Sequence, residues 1–354
     1  MSVNTSRTTY REHTDTENIL KLRQVLSTLP AFCKDYFRAI DSTTTTKTRI
    51  SYAYDIRIFF QFLLDENPAF KNYAMTDFSV AVLDQIKAID LEEYMEYLKV
   101  YQNGDKTETN GERGLKRKIS ALRSFYAYYY KREMIHTNPT VLIDVPKIHD
   151  KSIIRLDTDE VALLLDYIEH CGDSLTGQKR VYYEKTKERD LAIVTLLLGT
   201  GIRVSECVGL DIEDVDFKNN GIKVTRKGGN EMVVYFGEEV EKALKRYLEI
   251  REGITPLAGH EHALFYSAQR KRMGVQAVEN MVKKYSRQIT TTKKITPHKL
   301  RSTYGTALYQ ETGDIYLVAD VLGHKDVNTT KKHYAALDDA RRRQAATAVR
   351  LRED

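Results

Sequence analysis

The sequence predicts a mainly α-helical protein of two domains, with a small β-hairpin or sheet in the second. Three observations carry this. Apolar residues recur at helical spacing through most of the chain, one pair of segments (GIKVT and MVVYF) alternates with the period of strands, and one stretch around Pro139 and Pro146 cannot be helix throughout. At 354 residues and 42% apolar content, the chain is long enough to bury two cores. The proline stretch, at about residues 145–153, is the expected linker.

Taken in order, residues 1–20 are polar and without period and are expected to form a flexible arm. Residues 21–147 then form a helical domain. In TKTRISYAYDIRIFFQFLLDENP, Ile50, Tyr54, Ile58 and Phe62 share a face, and Asn67-Pro68 stops the helix. A helix through DLEEYMEYLKVY leads into QNGDKTETNGERG, a loop rich in Gly and Asn. LKRKISALRSFYAYYYKREMI follows with Leu115, Ile119, Leu122 and Tyr126 inward and Lys116, Lys118 and Arg123 outward.

The second domain, residues 148–354, opens on LDTDEVALLLDYI, an N-cap followed by an amphipathic helix. ERDLAIVTLLLGTGIRVSECVGL is more apolar and more buried, with a Gly-Thr-Gly break and a new helix from about Arg203. GIKVT and MVVYF pair across RKGGNE as a hairpin with Gly228 and Gly229 at the turn. The rest, from Val240 onward, is mostly helical.

The net charge of +5 permits a nucleic-acid partner. Three dispersed cysteines, Cys33, Cys171 and Cys207, argue against a disulfide framework or a structural zinc site and suit a reducing cytoplasm. The N-terminus lacks a secretory h-region, and the longest apolar run, LAIVTLLLG, is about half of a membrane span. A cytoplasmic protein away from the membrane is expected. His260 and His262 have no third ligand at metal-site spacing, and Cys207 reads as a small core residue.

Four separated pieces hold polar residues that the surrounding pattern does not require. TGIRVSE places Arg203 after a buried helix, and RKGG places Lys227 at the hairpin tip. ITPHKLRSTYGT places His298 and Arg301 one turn apart after a Pro297 helix start, and LGHKDVNTTKKHY supplies His324 and Tyr334. Each alone has a structural reading as a cap, a surface charge or an amphipathic core residue.

In this order the set resembles the signature of the tyrosine site-specific recombinases, in their Xer-like and conjugative-transposon integrase branches. TGIRVSECVGLDIEDVDF is similar to the family's first-arginine block, HKLRSTYGT to its His-x-x-Arg block and LGHKDVNTTKKHY to its closing block. SALRSFYAYYYKREMIHTNPTVLIDVPK resembles the end of the family's core-binding domain. The resemblance implies a SAM-like helical core-binding domain and a catalytic domain that form a C-shaped clamp on double-stranded DNA carrying specific core sites. It further implies a homotetramer on two duplexes, with a C-terminal exchange helix at about residues 336–354.

The same resemblance makes Tyr334 the nucleophile that takes the 3′ phosphate and Arg203 and Arg301 the guanidinium clamp. His298 becomes the general base, His324 a hydrogen-bond donor to phosphate and Lys227 the general acid. The residue types suit the chemistry: a phenol can carry a phosphoryl group and be displaced from it, and guanidinium groups meet non-bridging oxygens bidentately. No metal, ATP or other cofactor is implied. Lys47, Arg49, Lys116, Lys118 and Arg123 are the expected DNA contacts on the first domain.

Two departures stand out. Tyr334 lies ten residues after His324, where much of the family has nine, and His333 occupies the usual place; one residue turns a helix by about 100°. Ser302 stands where the family often has a second histidine. The longer interval, with an N-terminal part that matches no housekeeping Xer closely, points toward integration and excision of a mobile element, with Xer-type resolution of chromosome or plasmid dimers as the alternative. A binding-only regulator on the same scaffold would be free to lose Arg203, Arg301 or Tyr334, and all three stand. A type IB topoisomerase shares the nucleophile and clamp, but the recombinase-like N-terminal bundle argues against it.

Overall fold

The computed structural model describes residues 9–147, 153–226, 229–324 and 326–334, apart from the side chains of Thr329, Lys332, His333 and Tyr334. The chain divides into two compact units, Met1–Asp150 and Lys151–Asp354.

Unit 1 holds α1 (Tyr10–Leu26), α2 (Cys33–Ala39), α3 (Thr46–Glu66), α4 (Ala88–Tyr97), a hairpin of β1 (Val100–Asn103) and β2 (Lys106–Thr109), and α5 (Glu112–Tyr130). Helix α1 begins inside the stretch expected to be a flexible arm. A capping box starts it: the Glu12 N–H donates to Thr9 Oγ1 at 3.3 Å, and the Thr9 N–H donates to Glu12 Oε2 at 2.7 Å.

Helix α3 packs against both α1 and α5, so its buried surface is wider than one stripe. Ile50 and Phe62 are buried as the period requires, but Tyr54 and Ile58 are only half-buried, and Ile56, Phe59, Phe60 and Leu63 fill the centre. Phe32, Phe60, Phe125 and Tyr129 meet there, with Phe32 edge-on to both Phe60 and Tyr129. The segment expected as a plain loop after α4 pairs instead as β1 and β2, turning at Gly104 (φ +61°) between Asn103 and Lys106. Its strands are largely exposed, so the alternation that betrays a half-buried strand is missing.

In α5, Leu115, Ile119, Leu122 and Tyr126 point inward as expected. Lys118 does not point outward. It is 5% exposed, and its Nζ lies 3.4 Å from Asp55 Oδ1, a carboxylate on α3 that is 2% exposed and also pairs with Arg117. Burial raises the Asp55 carboxyl and lowers the Lys118 ammonium from their ordinary values, each opposed by its partner's charge. Arg123 is also turned to structure. Its guanidinium donates to the carbonyls of Thr140 (3.1 Å) and Ile143 (2.7 Å) and holds the short turn at Pro139–Val141.

Unit 2 begins with α6 (Thr158–His170), α7 (Gly177–Thr200) and α8 (Val204–Gly209). A three-stranded antiparallel sheet follows, of β3 (Val215–Asp216), β4 (Gly221–Thr225) and β5 (Glu231–Tyr235) in the order β3-β4-β5. Then come α9 (Glu238–Glu252), α10 (Val275–Ile289), α11 (Pro297–Thr312), α12 (Ile315–Leu322) and α13 (Val327–Tyr334). The C-terminal half of α7 is buried on nearly every side and packs against α6, α9 and α11. The expected strands pair as β4 and β5, Ile222 opposite Val234 and Thr225 opposite Glu231. The hairpin tip at residues 227–228, with Lys227, lies outside the described residues, as does the expected exchange helix at 336–354. Among the described residues no helix is long and apolar enough to cross a membrane.

Candidate active site

Helix α7 ends because Gly201 adopts the left-handed conformation (φ +62°), which stops the hydrogen-bond ladder and frees the chain to turn. Arg203 then caps α8. Its N–H donates to Glu206 Oε2 and its Nη1 to Glu206 Oε1, each at 2.8 Å, so one carboxylate sets both the helix start and the guanidinium. A Cβ at Gly201 would stand 2.4 Å from Tyr304 Cδ1, so α11 packs where only glycine fits.

The second component is the C-terminal end of α12, closed by Gly323 in the left-handed conformation (φ +61°). The His324 N–H donates to the Ala319 carbonyl at 2.9 Å and the Gly323 N–H to that of Asp320 at 2.7 Å. The last carbonyls of α12, at the negative end of its dipole, receive cations. Arg226 Nη2 donates to Val321 O at 2.8 Å and Nη1 to Leu322 O at 3.3 Å. Arg301 Nη2 also donates to Leu322 O, and Arg203 Nη2 to Gly323 O at 3.4 Å. Arg301 Nη1 reaches back to Gly201 O at 2.6 Å and joins the two turns.

Three guanidinium groups therefore converge on three successive carbonyls, with one carboxylate among them. Glu206, whose side chain is 3% exposed, accepts from Arg203 on Oε1 and from Arg226 on Oε2, the latter at 3.2 Å. Burial draws the Arg226 guanidinium below its ordinary value; Glu206 opposes this and Arg203 adds to it. The Arg203 side chain is 34% exposed against 9% for that of Arg226. Arg203 thus offers donors at the surface while the groups behind it hold it in place, a disposition suited to an oxyanion.

The structure brings Arg203, Arg301 and the turn carrying His324 together. His324 is half-buried, with Nδ1 2.7 Å from Oγ1 of Thr330, itself fully buried on α13. Tyr334 ends α13 one turn beyond Thr330, and its side chain lies outside the described part. Within the ten-residue interval from His324, the eight residues Val327–Tyr334 form α13. His298 is an exposed residue in the first turn of α11, after Pro297 at the helix start; Ser302 Oγ donates to its carbonyl at 3.1 Å. Cys207 is fully packed in the core, and burial pushes its thiol up to about 12.

Sequence reasoning missed Glu206 and Arg226, although signals for both were present. Arg203-x-x-Glu206 has capping-box spacing. Arg226 continues the inward alternation of Ile222 and Val224 along β4. Among the expected DNA contacts, Lys47 and Lys116 are exposed, whereas Arg49 is half-buried and pairs with Asp41. Lys118 and Arg123 are engaged as described above.

The phage integrase family matches residues 155–341 of the chain. The chain is 32% identical over 328 residues to a tyrosine recombinase XerC of Caldanaerobacter subterraneus subsp. tengcongensis, covering 90% of this chain and 86% of the relative. It is 30% identical over 340 residues to a tyrosine recombinase XerS of Lactococcus lactis subsp. cremoris, covering 89% and 93%. Among solved structures, XerH recombinase bound to palindromic difH substrate in a post-cleavage complex superposes with a TM-score of 0.65 at 20% identity, covering 97% of this chain and 90% of that one. The integrase of transposon Tn1549 in complex with circular intermediate DNA gives 0.62 at 22% identity, covering 85% and 94%. These last two likenesses are of fold.

Proposed function

The chain belongs to the phage integrase family and is a site-specific tyrosine recombinase, and from that premise we propose that it cuts and rejoins double-stranded DNA through a covalent 3′-phosphotyrosine link at Tyr334. The observation that supports this reading best is the convergence of Arg203 and Arg301, from separate parts of the fold, on the end of α12, the element directly before the helix that ends in Tyr334. The Tyr334 oxygen attacks the scissile phosphorus and the bond to the 5′ oxygen breaks. The phenolic proton passes to His298, and Lys227 donates a proton to the leaving 5′ oxygen. Arg203 and Arg301 hold the non-bridging oxygens as charge grows in the five-coordinate transition state. In the second step the 5′ hydroxyl of the exchanged strand attacks the same phosphorus and Tyr334 leaves. One phosphodiester is spent and one is formed, so no external energy source or cofactor enters.

The DNA-facing cations of unit 1 in this proposal are Lys47, Lys116 and Arg117. The working assembly is a homotetramer on two duplexes that carry specific core sites. For the biological role, the ten-residue interval favours integration and excision of a mobile element. The XerC and XerS relatives, similar across nine-tenths of the chain, favour Xer-type resolution of circular DNA dimers. The latter observation spans both units, against the expectation of an N-terminal part unlike the Xer recombinases, and we place dimer resolution first, reversing the expected order. Deleting the gene and sizing replicons tests this: accumulated multimers support resolution, whereas loss of an excision junction with monomers retained supports the mobile element.

Covalent trapping tests the chemistry. The protein and its Tyr334→Phe variant are incubated with nicked duplexes from the ends of the protein's own genetic locus and resolved on denaturing gels. A protease-sensitive adduct on the 3′ phosphate, absent with the variant, is expected. Site-specific binding with no adduct from the wild-type protein would instead identify a binding-only regulator.

A further inference from the structure

We infer that Arg226 is a positioning residue for strand cleavage that acts through the Arg203 and Arg301 pair, an inference that rests on the proposed reading of those two arginines as the phosphate clamp. Each nitrogen of its guanidinium is engaged with the protein. Nη2 donates to Val321 O, Nη1 to Leu322 O and Glu206 Oε2, and Nε to Met232 Sδ at 2.9 Å. At 9% exposure the residue is set behind the surface that Arg203 presents. Its partners are the ones the clamp itself uses. Leu322 O is shared with Arg301, and the Glu206 carboxylate is shared with Arg203. Both arginines of the clamp are thus braced against groups whose second contact is Arg226.

The packing around it is equally specific. A Cβ at Gly323 would come within 3.0 Å of Arg226 Cζ and Nε, so the turn that leads to His324 is shaped around this guanidinium. Lysine can supply the charge at this position but not three planar donors in fixed directions. Removing the side chain leaves Glu206 Oε2 and Val321 O without the cation and lets the end of α12 shift, and the clamp shifts with it. A displacement of about 1 Å at a reacting centre costs on the order of 100-fold in rate.

The test is single-turnover formation of the covalent adduct by the full chain, on a nicked duplex bearing the cleavage site found by trapping. Wild type, Arg226→Gln, Arg226→Lys and Arg301→Ala are compared on three scissile linkages: ordinary phosphate, a neutral methylphosphonate and a phosphorothiolate with sulfur at the 5′ bridging position. On phosphate, Arg226→Gln is expected to cleave about 100-fold more slowly with unchanged DNA affinity, and Arg226→Lys to fall between it and wild type. On the methylphosphonate, which carries less charge for the clamp to hold, the deficits of Arg226→Gln and Arg301→Ala are both expected to shrink.

A deficit of Arg226→Gln that persists on the methylphosphonate would overturn the inference, as a role in folding alone predicts. So would a deficit abolished by the bridging sulfur, which needs no protonation, because Arg226 would then act through the general acid. If Arg226→Gln does not fold, Arg226→Lys is read on the same three linkages with the same expectations. Full activity of Arg301→Ala on phosphate sinks the clamp reading itself, whereas an inactive Arg301→Ala beside a fully active Arg226→Gln sinks only the role of Arg226.

Discussion

Gly201 and Gly323 carry the left-handed turns from which the candidate site hangs, and each is crowded as well as left-handed. A side chain at Gly201 meets the Tyr304 ring, and one at Gly323 meets the Arg226 guanidinium. A left-handed L-residue costs about 1–2 kcal/mol before any clash. Gly201→Ala is therefore expected to lower the urea midpoint by at least that equivalent, because the Tyr304 ring must also move. A fall limited to that equivalent would show that Tyr304 yields without cost, and an unchanged midpoint would show that the turn itself relaxes out of the left-handed conformation. At Gly323 the obstruction is the end of a long side chain, so the same substitution is expected to disturb the site more than the fold.

At the level of elements, α3 and α5 are joined through Asp55, which faces both Arg117 and Lys118. The Arg117 side chain is 46% exposed while that of Lys118 is 6% exposed. Arg117 is thus the cation of this pair that can meet a phosphate while its other donors stay with the carboxylate. Arg117→Gln is expected to reduce the slope of log affinity against log salt by about one, which a purely structural ion pair would leave unchanged. A second tie in unit 1 is Asp84, which accepts from the N–H groups of His136 (2.7 Å) and Thr137 (2.9 Å). Burial alone would raise this carboxyl, but the bonds from His136 and Thr137 outweigh it and hold the group below its ordinary value. A depressed folded pKa gives stability that is present above the unfolded value of about 4 and is lost as pH falls through the folded value. Asp84→Asn should be less stable than wild type at pH 6, with the difference closing in acid, as read from denaturant midpoints. A constant difference would assign the effect to packing.

Over the whole molecule, each unit has its own core, and Arg203, Arg226, Arg301, His298, His324 and the helix ending in Tyr334 all belong to unit 2. A polypeptide of residues 151–354 is expected to unfold cooperatively, and to form the covalent adduct at saturating DNA while binding more weakly than the full chain. Circular dichroism and the trapping gel measure the two properties. A folded fragment that makes no adduct at saturation would show that unit 1 completes the chemistry rather than only holding the DNA.

Much of this was legible in the sequence because it depends on local rules. Pro297 starts a helix, Gly201 ends one, GIKVT and MVVYF alternate, and Arg203, His298, Arg301, His324 and Tyr334 stand in recognisable blocks. The capping box at Thr9 was equally local and was passed over. Periodicity assigns a residue to a face, but it does not say whether a charge on that face has a counter-charge waiting. Lys118 is buried because Asp55, 63 residues earlier, faces it. Arg226 is buried because Glu206, 20 residues earlier, and the carbonyls at 321–322, nearly a hundred residues later, accept its donors. The sequence by itself determined the chemical groups of the site and the helices that carry them. Only the tertiary structure decided which cations meet solvent and which brace the others, because a buried charge is tolerated only where packing supplies its partners.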